Sequence, residues 1–351
     1  MSSLTTLKWE TTVSPSSPMR WARDLVSPAL RAAVAELPPP ERLIVGYHRG
    51  WHEADGSRPT EVADEGGKAV RPALAFLAAQ AVGGSAECAV PGAVAVELVH
   101  DFSLLHDDVI DGDALRRHRP AAWAVYGTPA AVLAGDALLV CALRTLSDVP
   151  APRGGAASKE VVEALADLMR GQSEDVAFEK AVTVVAREYL VMAEGKTGAL
   201  MGAACALGGV LAGAGPERVA GLRDFGRRLG VAFQCADDLL GIWGVSERSG
   251  KPVGADLAAR KKSLPVVAAL SAGGEAAERL AALYAGTEPL GESDIALAAR
   301  LIEEAGGRER TELEARRQLT EAFRALSRAR PEPEAYQRLH QVAMTLTHRD
   351  H

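Results

Sequence analysis

Apolar positions recur at three- and four-residue spacing, the period of a helix, along most of this chain. The pattern predicts helices at Arg71–Val82, Gly92–Asp108, Ala130–Leu146, Lys159–Phe178, Val184–Leu211, Ala220–Ile242, Ser263–Ala272, Ala276–Ala285, Ser293–Glu304 and Arg308–Ala329. "ELPPPERL" (Glu36–Leu43) marks a turn before a helix, and "HEADGSRPTEVADEGGK" (His52–Lys68) reads as a loop. Gly and Pro mark two further loops, Ser147–Ser158 and Gly244–Asp256. There is no series of alternating strands and no fixed-period repeat. Several helices are apolar on most sides and so need a buried place inside one large bundle. The expected fold is all-α, a single domain over residues 1–351, with the Ser/Thr-rich residues 1–18 loose.

Composition narrows the partners. A formal net charge of -7 argues against nucleic acid, whose phosphates need a basic surface. Cys88, Cys141, Cys205 and Cys235 lack CxxC spacing and read as small buried residues in a reducing compartment. No signal-type segment opens the chain. The longest uncharged run, Thr197–Pro216, is mostly Gly and Ala, which suits a core helix better than a membrane span. A cytoplasmic protein without a transmembrane segment is expected.

Candidate chemistry concentrates in "VELVHDFSLLHDDVIDGDALRRHRP" (Val96–Pro120). His100, Ser103, Asp107 and Asp111 are spaced three, four and four, which puts them on one face of a helix. Asp108 lies one position round from that stripe. The neighbours are apolar, so a solvated acidic face is a poor account. Carboxylates lining a cavity repel one another unless cations sit between them. Oxygen ligands at i and i+4 suit Mg²⁺, which completes its octahedron with water and phosphate oxygens. "FQCADDLLG" repeats the device on a second apolar helix, with Gln234, then Asp237 or Asp238, then Gly241. Two such stripes facing each other would clamp a strongly anionic ligand through metal ions.

A diphosphate also needs fixed cations. Lys68 and Arg71 stand at a helix entry, where backbone amides favour an anion. Arg116 and Arg117 follow the first acidic helix. Lys196, beside Thr197, lies in an apolar helix where a lone ammonium is costly. Lys261 precedes another helix, while Arg119 and Lys262 read as surface residues. Gln172 and Asp175 share a helical face.

The ordered series GGKxxRP, HDDxxD, RR, GQxxD, KT, FQxxDD, GKxxGxD and K resembles the trans-isoprenyl diphosphate synthases, the polyprenyl synthetase family, from about Leu43 to the C-terminus. The resemblance implies a helical bundle around a central cavity, usually a homodimer. It implies head-to-tail condensation of isopentenyl diphosphate with an allylic diphosphate. By matching motif, Asp107 and Asp111 look like ligands of two Mg²⁺ ions, with Asp108 in support. Asp237 looks like the main ligand of a third ion, with Asp238 in support, and Asp175 looks able to touch the cluster. Arg116, Lys196 and Lys261 look like contacts to the allylic diphosphate. Lys68, Arg71, His100 and Arg117 look like the isopentenyl diphosphate site. Gln172, Thr197 and Gln234 resemble cavity positions. Phe102 and Ser103, about one turn before Asp107, resemble the floor of synthases making twenty-carbon products. The alternative is a fifteen-carbon product.

Two positions depart from the family pattern. His118 stands where a glycine often follows the paired arginines, and Gly241 stands where the second motif usually ends in aspartate. A class I terpene cyclase would share the fold, but its usual second metal motif contains asparagine, which this chain lacks altogether. A catalytically silent subunit need not keep the full first motif and the basic groups present here. A phosphohydrolase built on His106–Asp107 would need further histidines at metal-ligand spacing.

Overall fold

The computed structural model describes residues 17–59, 67–244, 254–286 and 289–348. Residues 1–16, Gly66 and the Gly250–Val253 part of GKxxGxD, with the expectations that rest on them, lie outside the described residues. The helices run α1 (Pro18–Ala35), α2 (Pro39–His48), α3 (Val70–Ala81), α4 (Val90–Asp111), α5 (Ala122–Tyr126), α6 (Thr128–Ser147), α7 (Arg153–Lys180), α8 (Ala186–Ala193), α9 (Ala199–Leu211), α10 (Pro216–Trp243), α11 (Ala255–Ala258), α12 (Leu264–Leu270), α13 (Glu275–Tyr284), α14 (Glu292–Glu304), α15 (Gly307–Arg328) and α16 (Pro333–Thr347). Among the described residues the only sheet is a two-residue hairpin, β1 (Leu115–Arg116) and β2 (Arg119–Pro120). The fold is all-α, as the periodicity predicts.

The inner layer is built from α3, α4, α9 and α10, with α9 packed against α3, α7 and α10. α9 can lie inside because small residues let backbones approach. A Cβ on Gly208 would sit 2.2 Å from the Ala75 carbonyl oxygen on α3, and one on Gly226 would sit 2.3 Å from that of Met201. Three stretches have the length and hydropathy of membrane spans: Glu87–Asp111, Thr128–Ser147 and Ala186–Leu211. The first and last are 67% and 72% buried inside the bundle, so their apolar surface already has protein partners; the middle one is only 39% buried.

Local differences from the expectation have local causes. α7 begins at Arg153, inside the stretch read as a loop, because the Arg153 guanidinium donates to the Leu211 carbonyl and anchors the turn. The helix expected over Val184–Leu211 is divided by a π-helical turn, Glu194–Gly198. α1 and α16 were not expected, although α1 buries Ala22, Val26, Leu30 and Val34 at strict four-residue spacing.

Candidate active site

α4 carries two polar faces. On one, Ser103 and Asp107 are half-buried and Asp111 is exposed at the helix end. On the other, Glu97, Asp101 and Asp108 are 4%, 2% and 1% exposed. Each of these buried acids has an arginine. Arg49 donates from Nε to Asp101 at 2.6 Å and from Nη2 to Glu97 at 2.8 Å. Arg116 donates from Nε to both Asp108 oxygens at 2.8 Å. Asp108 therefore stands apart from the supporting metal role expected of it: its carboxylate turns inward and fixes Arg116. Gly112, with φ +68°, ends α4, and the hairpin brings Arg116 back to Asp108. Its turn residues Arg117 and His118 have φ +52° and +63°, which explains why a glycine suits position 118.

Asp107 faces charges from three other elements. Burial pushes its carboxyl up to about 6; Lys196 and Arg116 oppose the rise, while Asp111 and Asp175 add to it. Burial also raises Asp111, whose charged neighbours include Lys196, Asp175 and Lys261. Lys196 sits in the π-helical turn and donates to Asp175 of α7 at 2.5 Å. The turn reaches α7 because neither Gly171 nor Gly195 has a Cβ: one on Gly171 would lie 2.3 Å from the Lys196 amide nitrogen. One turn before Asp175, both amide atoms of Gln172 are buried without a hydrogen-bond partner among the described residues.

On α10, Asp237 is exposed while Asp238 is buried. Asp238 accepts hydrogen bonds from the Tyr189 hydroxyl at 2.5 Å, the Leu264 amide at 2.9 Å and the Gln234 amide at 3.0 Å. Thr197 in turn donates to Gln234 at 2.7 Å. Burial still pushes Asp238 up to about 6. Asp238 thus departs from the metal-supporting role expected of it, and Thr197 and Gln234 are links in a chain that joins the π-helical turn to α10. Lys261 follows that junction. Burial works against its charge, but Asp256, Asp175, Asp238 and Asp111 outweigh it and raise its pKa.

A second basic group gathers behind α4. Arg71 is half-buried, its charge feels Glu97 and Asp101, and its buried Nε has no hydrogen-bond partner among the described residues. Arg117 lies against the Gly67–Lys68 segment, its Nη2 3.1 Å from where a Gly67 Cβ would be. Lys68 is exposed at the same entry. Burial and then Arg71, Arg117, Arg49 and Arg116 hold His100 well below the usual histidine range, so it is neutral at pH 7. Burial holds His48 to about 3 beside the same groups.

Phe102 is buried and packs edge-on to His106 next to Gly135 of α6, whereas Ser103 stays half-exposed and donates to the His100 carbonyl. Arg119 and Lys262 correct the expectation of simple surface residues. Arg119 pairs with Glu53 and stacks over Tyr47; Lys262 donates to the Phe178 and Glu179 carbonyls at the end of α7. Sequence reasoning missed Arg49, Glu97, Asp101 and Tyr189, and named Asp256 only as the last position of GKxxGxD, without a role. The four-residue spacing of Glu97 and Asp101 inside an apolar helix was the available signal for that pair.

The residues fit a magnesium diphosphate. Among the described residues, no three His, Cys, Asp or Glu groups form a ready-made cage. Mg²⁺ commonly binds through one or two carboxylates plus phosphate and water. Half-buried Asp107 and exposed Asp111, one helical turn apart, would supply the carboxylates, and the Arg71 Nε and Gln172 amide, without hydrogen-bond partners among the described residues, are polar groups suited to a ligand.

A family model described as polyprenyl synthetase matches residues 58–302. The chain is 47% identical over 310 residues to a (2E,6E)-farnesyl diphosphate synthase of Mycobacterium tuberculosis, covering 88% of this chain and 86% of the relative. It is also 47% identical over 290 residues to a geranylgeranyl diphosphate synthase of the same organism, covering 82% and 81%. A solved polyprenyl synthetase from Streptomyces coelicolor A3(2) superposes with a TM-score of 0.90 at 45% identity, covering 94% of this chain and 98% of that one.

Proposed function

The chain belongs to the polyprenyl synthetase family, as a trans-prenyl diphosphate synthase, and from that premise we propose that it condenses isopentenyl diphosphate head to tail with an allylic diphosphate to give geranylgeranyl diphosphate. The observation that carries the reading is the meeting of Asp107 and Asp111, whose carboxyls are both raised, with Lys196, Asp175 and Lys261 from other elements. The family is Mg²⁺-dependent. Bound Mg²⁺ would offset charge on the allylic diphosphate, with Asp107, Asp111 and Asp237 as its protein ligands and Asp175 beside them.

Lys196, Lys261 and Arg116 hold the departing diphosphate, whose growing charge they stabilise as the allylic C–O bond ionises. Asp108 keeps the Arg116 guanidinium in place, and Asp175 does so for the Lys196 ammonium. Lys68, Arg71 and Arg117, with neutral His100, hold isopentenyl diphosphate so that its alkene meets the allylic carbon. Apolar walls exclude water, which would otherwise capture the cation. The released diphosphate takes the proton lost in the last step.

A twenty-carbon product is favoured because Phe102 is turned into the contact with α6 and the small Ser103 lies beneath Asp107. The equal identity to a farnesyl diphosphate synthase supports fifteen carbons as the second reading. Incubation with Mg²⁺, isopentenyl diphosphate and five-, ten- or fifteen-carbon primers should give mainly a twenty-carbon diphosphate. Ser103→Phe should shift it to fifteen. A cyclic hydrocarbon from the allylic substrate alone, or no turnover with any primer, would overturn the assignment.

The chain acts as a cytoplasmic homodimer in this reading. Leu133, Val140 and Leu143 on α6 and Val162 and Met169 on α7 are exposed apolar residues on neighbouring helices. Such a patch suits a second copy. Light scattering should give twice the chain mass, and Val140→Glu should give the monomer. A monomeric parent would refute the dimer.

A further inference from the structure

The hairpin β1–β2 has two residues in each strand, too few to hold its shape alone. It nevertheless carries both Arg116 and Arg117, and these face different groups. Arg116 reaches Asp108 of α4, whereas Arg117 lies against Gly67. The position of the hairpin must therefore be fixed from outside it.

Arg119 is the direct cross-strand partner of Arg116. Two arginines placed opposite each other repel. Each is drawn to its own acid, Arg116 to Asp108 at 2.8 Å and Arg119 to Glu53 at 3.0 Å. The Arg119 guanidinium also donates to the His52 carbonyl at 3.2 Å and the Tyr47 carbonyl at 3.4 Å, and it lies 4.4 Å from the centre of the Tyr47 ring. The Tyr47 hydroxyl donates in return to the Pro120 carbonyl at 2.8 Å. One side chain thus joins the hairpin to the end of α2 and the segment after it.

That segment is itself pinned. The Tyr126 hydroxyl donates to the Ala54 carbonyl at 2.8 Å, and the Glu53 amide donates to the Ser57 carbonyl at 2.9 Å. Trp51 meets the guanidinium groups of Arg31 and Arg49 at 4.3 and 5.5 Å, and Arg49 is held by Glu97 and Asp101 of α4. The contacts close a ring: from α4 through Arg49 to Glu53, across to Arg119 and the hairpin, and back to α4 through Arg116 and Asp108.

We propose that Arg119 is a positioning residue that closes this ring, fastening the hairpin so that Arg116 and Arg117 are each held toward a diphosphate. The assignment deepens the prenyl-transfer reading and rests on it. The Arg119 guanidinium is occupied by Glu53 and two carbonyls, so it acts through its two neighbours. Its loss frees the hairpin and loosens the contacts to both substrates together.

The test reads the KM for each substrate against kcat, calorimetric binding of inorganic pyrophosphate with Mg²⁺, and thermal unfolding. Arg119→Ala should raise both KM values about tenfold, roughly the loss of one charge-assisted contact. Its kcat should stay within about threefold, because bound diphosphates draw the arginines back into place. Pyrophosphate binding should weaken to match. Arg119→Lys, whose ammonium keeps the charge and three donors, should bring both KM values within about threefold of the parent. Parent-like KM values in Arg119→Ala, or a rise confined to one substrate, would refute the proposal. So would a fall in kcat and melting temperature at unchanged KM, the mark of a general stabiliser. Turnover with primers tests the prenyl-transfer reading separately. If the parent makes no product, pyrophosphate binding still decides: weakening in Arg119→Ala that Arg119→Lys reverses supports the anchor, and parent-like binding overturns it.

Discussion

Asp107→Ala is expected to lower kcat by about 10³-fold while leaving the folded protein at least as stable as the parent. The kinetic loss follows from removing a carboxylate that anchors cations on the departing diphosphate, where charge stabilisation is worth several kcal/mol. The stability result follows from the sign of the pKa shift. Burial raises the Asp107 carboxyl to about 6 from an ordinary 3.8. The folded protein then binds more protons than the unfolded chain between those values, so stability falls as pH rises through that window. At pH 7 the ionised carboxylate is held at a cost on the order of 2 kcal/mol after allowing for its partial exposure. A residue kept at a stability cost is the mark of a functional group. Asp108→Ala should behave differently. It leaves Arg116 without its partner and should lower kcat and melting temperature together. Asp237→Ala should lower kcat by about 10²-fold with little change in melting. Steady-state kinetics and thermal unfolding of the three variants check the pattern. Parent-like turnover by Asp107→Ala would refute the clamp, and parent-like turnover by Asp237→Ala alone would remove its second half.

The stripe His100, Ser103, Asp107 and Asp111 was legible because helical phase is a local property of sequence. Whether Asp108, one position round, met a metal or an arginine was not. That depends on a hairpin whose turn residues adopt positive φ and return Arg116 to α4. The same limit hid the role of Asp238. Asp238 answers to Tyr189 and Leu264, each about twenty-five residues or more away. The π-helical turn that presents Lys196 was invisible because "EGKTG" fits an α-helical pattern equally well. Only the close approach of Gly171 and Gly195 shows what the extra residue achieves. α1 is a different kind of omission. Its Ala22, Val26, Leu30 and Val34 spacing was in the sequence, but the polar residues between them and an internal Pro28 obscured it.

Arg49→Ala is expected to lower the unfolding free energy by about 3–5 kcal/mol, the cost of breaking a buried ion pair and leaving its acids unpaired. Arg49 is 5% exposed and is hydrogen-bonded to both Asp101 and Glu97, so its loss strands two carboxylates. Burial already raises Glu97, and Arg49 is the largest influence opposing that rise. Arg71 and Arg117 both feel Glu97 and Asp101, and of the two it is Arg71 whose Nε lacks a hydrogen-bond partner among the described residues. If Arg71 turned toward those acids, it would leave the diphosphate it is proposed to hold. The KM for isopentenyl diphosphate should therefore rise about tenfold, while the KM for the allylic substrate, whose Lys196 and Lys261 stand near Asp107 and Asp111 and whose Arg116 is held by Asp108, stays within about twofold. A triple variant, Arg49→Met/Glu97→Leu/Asp101→Leu, removes the stranded charges and should recover most of the stability. It should not recover the KM, because His100 and Arg71 would have lost the acids that balance the basic cluster. Urea unfolding and separate substrate titrations decide the matter. Destabilisation of Arg49→Ala below about 1 kcal/mol would show that water reaches this network, and equal KM changes for both substrates would show that it serves the whole bundle instead of one subsite.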